Sequence, residues 1–522
     1  MVGVVCSTAP TGTAEGEQSL GRYVARKCLA AIPVLFGVAL AVFLILHLTP
    51  GDPARLIAGP EAYEEDVEAI RERLGLDDPL YVQFGHFLLE VVRFDFGNSY
   101  RTNRPVMNDI MDRFPNTLEL AVASLIWSVL AGVAVGIFAA TRPNSALDSL
   151  SMGGALIGIS MPTFWLGLLL MLLFSYHLGW LPASGRAGPL WTWEGFRTVL
   201  MPAITLGSPA AAVLARMTRS SMLEVINQDY IRTARAKGLP ESIVTYRHAL
   251  RNAMMPVVTL IGLQLGNLMA GSLITEQVFA WPGIGTLIIT GINQRDYPMV
   301  QASILLVAVI FVVVNLLVDI AYGMLDPRIS YDLTARPNEA SRYQHEYDTS
   351  TSTTRTRYQP KHGEKVKGTK ILLRLRHHHS AGLGGVLLLI TVAVAILAPV
   401  LAPEGYDHQV LSERLQPPSA SHLLGTDHLG RDLDARIVWG ARMSLQVGFF
   451  ATAVSLVLGT LLGLVAGFWG GWVDRTIMGA MDVLLAFPGI LLAIAIVAAL
   501  GPGLNNLMLA VGIASVPQFA RM

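Results

Sequence analysis

The sequence predicts an all-α fold, a polytopic transmembrane helical bundle of about ten spans arranged as a parallel repeat. Three observations predict it. Hydrophobic residues make up 52% of the 522 and charged residues 15%, against about 25% charged in soluble domains. The charges leave uncharged runs at 28–46, 120–141, 149–185, 198–215, 252–275, 297–318, 380–403, 443–473 and 483–520, where a spanning helix needs about 20 residues. Landmarks in the first half also recur in the second at constant spacing. A mean hydropathy of +0.49 excludes a disordered, collagen-like or disulfide-framed chain, and runs this long exclude a membrane β-barrel. Basic and acidic residues balance at 38 each, so no nucleic-acid partner is expected. Cys6 and Cys28 cannot build a framework.

Residues 1–21, rich in Thr, Ala and Gly and lacking an apolar core, form a flexible N-terminus and not a signal peptide. Arg22, Arg26 and Lys27 precede the first span, and positive charge favours the inner side, so the N-terminus lies inside. Alternation then puts 49–118 outside, Arg142 inside, 179–199 outside, 216–251 inside and 276–297 outside. Segment 216–251 holds seven basic residues against three acidic, and 49–115 holds thirteen acidic against seven basic. The run 149–185 is one span with an external tail marked by Tyr176, Trp180 and Pro182. The run 483–520 holds two spans separated by Gly501-Pro502-Gly503. Six spans fall within a first domain, 22–332, and four within a second, 380–522. Between them lies a polar linker, 333–379, flexible, basic and inside. Its His377-His378-His379 reads as a juxtamembrane basic cluster with Arg374 and Arg376, and no metal site is expected.

Leu147-Asp148 lines up with Val473-Asp474, Met152 with Met478, and Pro162 with Pro488, all at an offset of 326. Each aspartate begins a span and each proline kinks it, so one unit is used twice in the same direction. Ionisable residues at or inside spans are few: His47, Glu119, Asp319 and Asp482. Pro162, Pro488 and Asp482 are the candidates for a translocation path.

The longest inner polar segment of the first half runs from Asp229 through Tyr230, Ile231, Arg232, Thr233, Ala234, Arg235, Ala236 and Lys237 to Gly238-Leu239-Pro240, then His248 to Arg251 and Pro256. Ala and Arg favour helix, Gly238 stops it, and Pro240 follows. The physics allows two readings of this short helix and return. It is a lipid-facing basic loop, or a docking protrusion for a soluble partner.

Tyr-Ile-Arg-Thr-Ala-Arg-Ala-Lys-Gly resembles the cytoplasmic loop of permease subunits of ATP-binding-cassette importers, in the dipeptide/oligopeptide/nickel form, with Arg232-Thr233-Ala234 where the general signature has Glu-Ala-Ala. Leu48-Thr49-Pro50-Gly51-Asp52-Pro53, Phe94-Asp95-Phe96-Gly97-Asn98-Ser99, Phe279-Ala280-Trp281-Pro282-Gly283-Ile284-Gly285 and Arg295-Asp296-Tyr297-Pro298 resemble the first permease subunit. Gly425-Thr426-Asp427-His428-Leu429-Gly430-Arg431-Asp432, Trp439-Gly440-Ala441-Arg442 and Ala486-Phe487-Pro488-Gly489 resemble its partner permease.

The resemblance implies a type I importer permease fold and a non-enzymatic role, translocating dipeptides, oligopeptides or related solutes across a prokaryotic cytoplasmic membrane. It implies two ATPase subunits inside, an extracytoplasmic solute-binding protein outside, and a further permease chain as an optional partner. The coupling loop would be 229–256, with Asp229, Tyr230, Arg232, Ala234, Arg235, Lys237, Gly238, His248 and Arg251 as its site residues. This chain would bind no cofactor, with ATP and Mg on the ATPases; Gly425-x4-Gly430-Arg431-Asp432 lacks the Lys-Ser/Thr of a phosphate loop. Pro517 to Met522 stand where Pro209 to Met217 stand in the first half, so the second half is expected to stop before its own coupling loop and two spans. The competing expectations are an ion-coupled secondary carrier, which needs buried carboxylates or an inverted repeat, and a non-functional truncated fusion.

Overall fold

A computed structural model describes residues 14–48, 52–59, 62–73, 75–325, 379–487, 489–501 and 503–522. Residues 1–13, the linker through His378, and Pro488 lie outside the described residues, as do the side chains of Arg22, Arg26, Lys27 and Asp319.

The described chain is helical, with isolated bridges at Asn98–Pro105 and Thr426–Asp432. The first part comprises α1 (Ala14–Leu48), the short helices α2 (Pro53–Ala58), α3 (Glu64–Arg73) and α4 (Leu80–Arg93), then α5 (Val106–Thr141), α6 (Ala146–Ser160) and α7 (Thr163–Leu170), which runs on as a π turn to His177. Next come α8 (Trp193–Ile226), α9 (Asp229–Ala236), α10 (Glu241–Ile243), which passes through a π turn into α11 (Leu250–Val278), α12 (Ile284–Gln294) and α13 (Tyr297–Leu325). The second part comprises α14 (His379–Leu401), α15 (Leu433–Trp469), α16 (Gly471–Ala486), α17 (Gly489–Leu500) and α18 (Leu504–Ala520).

Among the described residues, six helices are long and apolar enough to cross a membrane, and up to eight spans result if each of two bent helix pairs counts once. The first and last of the ten expected spans appear as the shorter apolar helices Ala31–Leu44 and Leu504–Ala520. The bent pairs correct one expectation. Pro162 does not kink a continuous span: α6 and α7 meet at 108°, and α16 and α17 at 94°. Met161 is extended, and Pro162 caps the next helix at φ −58° and ψ 131°. A residue before proline is driven out of the α region, so the helix ends and restarts.

Contacts divide the chain into two compact units. One is Met1–Ile329 with Gly459–Asn506 and Val516–Met522, and the other is Ser330–Leu458 with Leu507–Ser515. In the first unit the core is the crossing of α5 with α8. Small residues let these backbones approach closely. A Cβ on Gly132 would lie 2.6 Å from the Ala211 carbonyl, and one on Gly136 2.7 Å from that of Ala215. Ser128 Oγ sits between the carbonyl oxygens of Ser124 (2.6 Å) and Gly207 (2.8 Å). Leu120, Val199, Ala203, Leu206, Leu268 and Trp281 close around the crossing.

The same joint recurs. In the second unit Ser455 Oγ sits between the carbonyl oxygens of Ala451 (2.7 Å) and Gly512 (2.8 Å). In the first, a Cβ on Gly459 would meet the Val516 carbonyl at 2.8 Å, and one on Gly463 that of Ala520 at 2.5 Å. Thus α15 and α18 repeat α5 and α8, residue for residue, at offsets of 327 and 305. The offsets differ because the connection 178–192 of the first copy shrinks to Gly501–Gly503 in the second and the helical segments on either side of it are also shorter.

At the opposite end of α1, the aromatic rings of Phe84 and Phe87 on α4 pack on Phe43 at 5.3 and 5.8 Å. His47 bonds the Phe43 carbonyl and Gln83 Oε1, both at 2.9 Å, so it is a fixed structural imidazole.

Candidate functional site

α8 is capped by Asn227, and α9 begins two residues later with Asp229. Gly238 adopts φ +77°, the left-handed conformation glycine enters without strain, and Pro240 opens the return into α10 and α11. Eight residues are too few for a stable isolated helix, so packing must hold α9 in place. Ile231 (fully buried) and Ala234 pack on Met222 and Ala140 and on Val244, Ala249 and Ala253. The i, i+3 spacing puts both on one face.

The opposite face is open. Asp229, Tyr230, Arg232, Arg235, Lys237 and Gly238 are exposed, as is Arg251, while His248 is half-buried. Arg235 forks onto Glu241 at 2.7 and 3.1 Å, clamping helix to return. Asn252 Nδ2 donates to Tyr230 Oη at 2.8 Å. Of the loop residues read from sequence, Ala234 lies on the anchoring face of α9 beside Ile231. Beside the loop, Arg219 on α8 grips Asp148 at the start of α6 at 2.6 and 2.7 Å. This pair joins three elements at one end of the bundle, because Asp148 also accepts from the Asn144 N–H at 3.0 Å.

The path candidates lie on other elements than the loop. Pro162 is exposed at the α6–α7 break. Asp482 on α16 is half-exposed and ion-paired with Arg521.

At the other end lies a set of polar residues that the sequence did not single out. Glu276, fully buried near the end of α11, accepts from Thr117 Oγ1 at 2.7 Å and from the Thr286 N–H at 3.1 Å. The Ile284 N–H donates to the same threonine hydroxyl at 2.8 Å, and Trp281 Nε1 donates to the Asn116 carbonyl at 2.9 Å. A Cβ on Gly283 or Gly285 would run into the Glu276 carboxylate, which explains two glycines of Trp281-Pro282-Gly283-Ile284-Gly285. Arg186 holds Glu119 at 2.7 Å, and Ser99 Oγ donates to Asp296. Burial and the nearby Asp296 carboxylate push the Tyr100 phenol up to about 12. The available signal was Glu276 itself, an acid closing an uncharged run just before a Pro-Gly turn.

The glycine-rich loop of the second part holds its own anion. Asp427 accepts from the N–H groups of Leu429 (2.8 Å) and Arg431 (3.0 Å) and from the guanidinium groups of Arg431 and Arg436, each at 2.7 Å. Backbone donors that would cradle a phosphate are filled by a carboxylate, so this loop does not fit a nucleotide.

The helical bundle, the paired small-residue crossings and the anchored polar loop define a membrane permease. Residues 132–331 match the family described as binding-protein-dependent transport system inner membrane component, and residues 20–121 match its N-terminal component. Residues 369–418 match the N-terminal TM domain of oligopeptide transport permease C. The glutathione transport system permease protein GsiC of Salmonella typhimurium is 49% identical over 309 residues, covering 59% of this chain and 99% of the relative. The dipeptide transport system permease protein DppB of Alkalihalophilus pseudofirmus is 46% identical over 330 residues, with the same coverages. The methionine transporter MetNI, solved in inward-facing conformations, aligns with TM-score 0.36 and 18% identity over 42% of this chain and 97% of its own. The chain belongs to the family of binding-protein-dependent transport system inner membrane components. It is a permease component of an ATP-binding-cassette importer.

Proposed function

We propose that this chain translocates short peptides, including peptide-like thiols such as glutathione, across a bacterial cytoplasmic membrane. The loop 229–256 and the N-terminus face the cytosol, and an extracytoplasmic solute-binding protein delivers the ligand on the other side. Two ATPases dock inside and hold the ATP and Mg; a further permease chain is an optional third partner. The observation that carries this reading is the division of α9 into a buried Ile231/Ala234 face and an exposed Tyr230/Arg232/Arg235 face. Such a helix is fixed to the bundle and free to sit in a partner's groove, so a push on it moves α8 and α11. The peptide class rests on the dipeptide and glutathione permeases among the relatives. Proteoliposomes holding this chain, its ATPases and the binding protein test the proposal. Uptake of radiolabelled trialanine or glutathione should require ATP and binding protein. Uptake driven by an ion gradient without ATP would overturn it.

A further inference from the structure

The faces that helices turn outward differ in chemistry. On α5 the exposed face carries Val122, Ile126 and Leu130, and on α13 Val309, Val313 and Leu317. Such aliphatic faces suit lipid. The outward stripe of α11 is different: Thr259, Leu263, Gln264, Asn267 and Gly271 follow one another at helical spacing, with Leu263, Asn267 and Gly271 exposed and Thr259 and Gln264 half-buried. Gln264 is the midpoint of Leu250–Val278, about 21 Å from either end at 1.5 Å per residue, so these carboxamides sit deep in a hydrocarbon layer about 30 Å thick.

A carboxamide facing lipid loses its hydrogen bonds with water and gains none. Asn267 Nδ2 donates weakly to Gln264 Oε1 at 3.4 Å. Asn267 Oδ1 and Gln264 Nε2 have no protein partner among the described residues. An acceptor and a donor are thus presented together near the middle of the stretch 252–275, which carries no charge. That is the hydrogen-bonding pattern of a peptide group itself, and neutral carboxamides take a main chain regardless of side-chain or terminal charge. The asparagine neighbour on α13, Asn315, approaches the same stretch, its Oδ1 3.6 Å from where a Cβ on Gly266 would stand.

We propose that Gln264 and Asn267 form a peptide-binding subsite in a water-filled translocation path, hydrogen-bonding the main chain of a passing peptide. The ligand class rests on the peptide-importer reading above; the water-filled path rests on α11 alone.

The test uses the complete system in proteoliposomes, with Cys6→Ser and Cys28→Ser as background. A charged, membrane-impermeant methanethiosulfonate reacts with thiolates, which do not form against lipid. Asn267→Cys should react at least about tenfold faster than Leu130→Cys on the lipid-type face of α5. Trialanine delivered with binding protein and ATP should slow that reaction. Gln264→Leu with Asn267→Leu should raise the KM for trialanine roughly five- to tenfold, the loss of one ordinary hydrogen bond. Labelling of Asn267→Cys no faster than of Leu130→Cys, with wild-type transport intact, overturns the subsite alone. An unaltered KM in the double leucine variant does the same. A wild-type protein that takes up no trialanine overturns the peptide reading and the ligand with it.

Discussion

Replacing Ile231 by alanine should release α9 from the bundle. The side chain is fully buried against Met222, Val244 and Ala249. Burying an isoleucine contributes about 1.5–3 kcal/mol relative to exposure, and removing most of it shifts the ratio of seated to unseated helix roughly 10- to 150-fold. No internal source compensates, because eight residues do not sustain a helix alone. Limited trypsin digestion of the purified protein in nanodiscs reads this directly at the Arg235 bond. Cleavage that tracks the open population should accelerate by the same factor. In the full transporter, stimulation of ATPase activity by loaded binding protein should fall in parallel. Tyr230→Ala, on the exposed face, should reduce stimulation while leaving trypsin cleavage at its wild-type rate. Wild-type cleavage in Ile231→Ala, or equal cleavage changes in both variants, would refute the division of α9 into an anchoring and a presenting face.

Gly136→Ala and Gly463→Ala should each destabilise the protein by about 1–3 kcal/mol, since the new methyl meets a carbonyl of the facing helix within 2.7 and 2.5 Å. Thermal unfolding in detergent should show similar losses for both, and a tolerant Gly463→Ala would argue against equivalent crossings. Glu276→Ala leaves the Thr286 N–H and the Thr117 hydroxyl without their buried acceptor, about 1–3 kcal/mol for each group; the same melting assay checks it, and a neutral result would remove Glu276 from the fastening of the 279–286 turn. Acid should loosen the 413–436 loop. Burial raises the Asp427 carboxyl, but N–H donors of Arg431 and Leu429 and the Arg431 guanidinium overcome it and hold the group well below the usual carboxylate range. A depressed folded-state value gives stability that is full above about pH 4, the unfolded value, and lost as pH falls further. Hydrogen exchange at the Leu429 and Arg431 amides should therefore rise below that pH, and Asp427→Asn should abolish the pH dependence.

Spans were legible because a run without charge is a local property that every residue reports. The loop was legible for the same reason: an Ala/Arg stretch, a left-handed Gly238 and Pro240 are all near neighbours. Pro162 marked a discontinuity but not its angle, since the extended conformation of Met161 is a choice between kink and break that packing decides. The face on which Ala234 sits was not legible, because composition does not orient a two-turn helix; the cluster around Met222 and Val244 does. Glu276 was missed because its partner Thr117 lies 159 residues away, and only the fold brings them together. The repeat was seen through Asp and Pro landmarks, while its mechanical joint uses serine and glycine, residues too common to stand out in one sequence.

Close contact at Gly207 makes that point of α8 a fulcrum. From there the helix extends 19 residues to Ile226, beside α9, and 14 residues back to Trp193. At 1.5 Å per residue these arms measure about 28 and 21 Å. A sideways displacement of about 5 Å at the α9 end would tilt α8 by roughly 10° and swing its far end about 4 Å the other way. Pro202 and Pro209 flank the fulcrum, each with a backbone hydrogen bond missing, so any yielding of the lever is confined to its pivot. One side of the bundle narrows as the other widens, with no helix having to unfold.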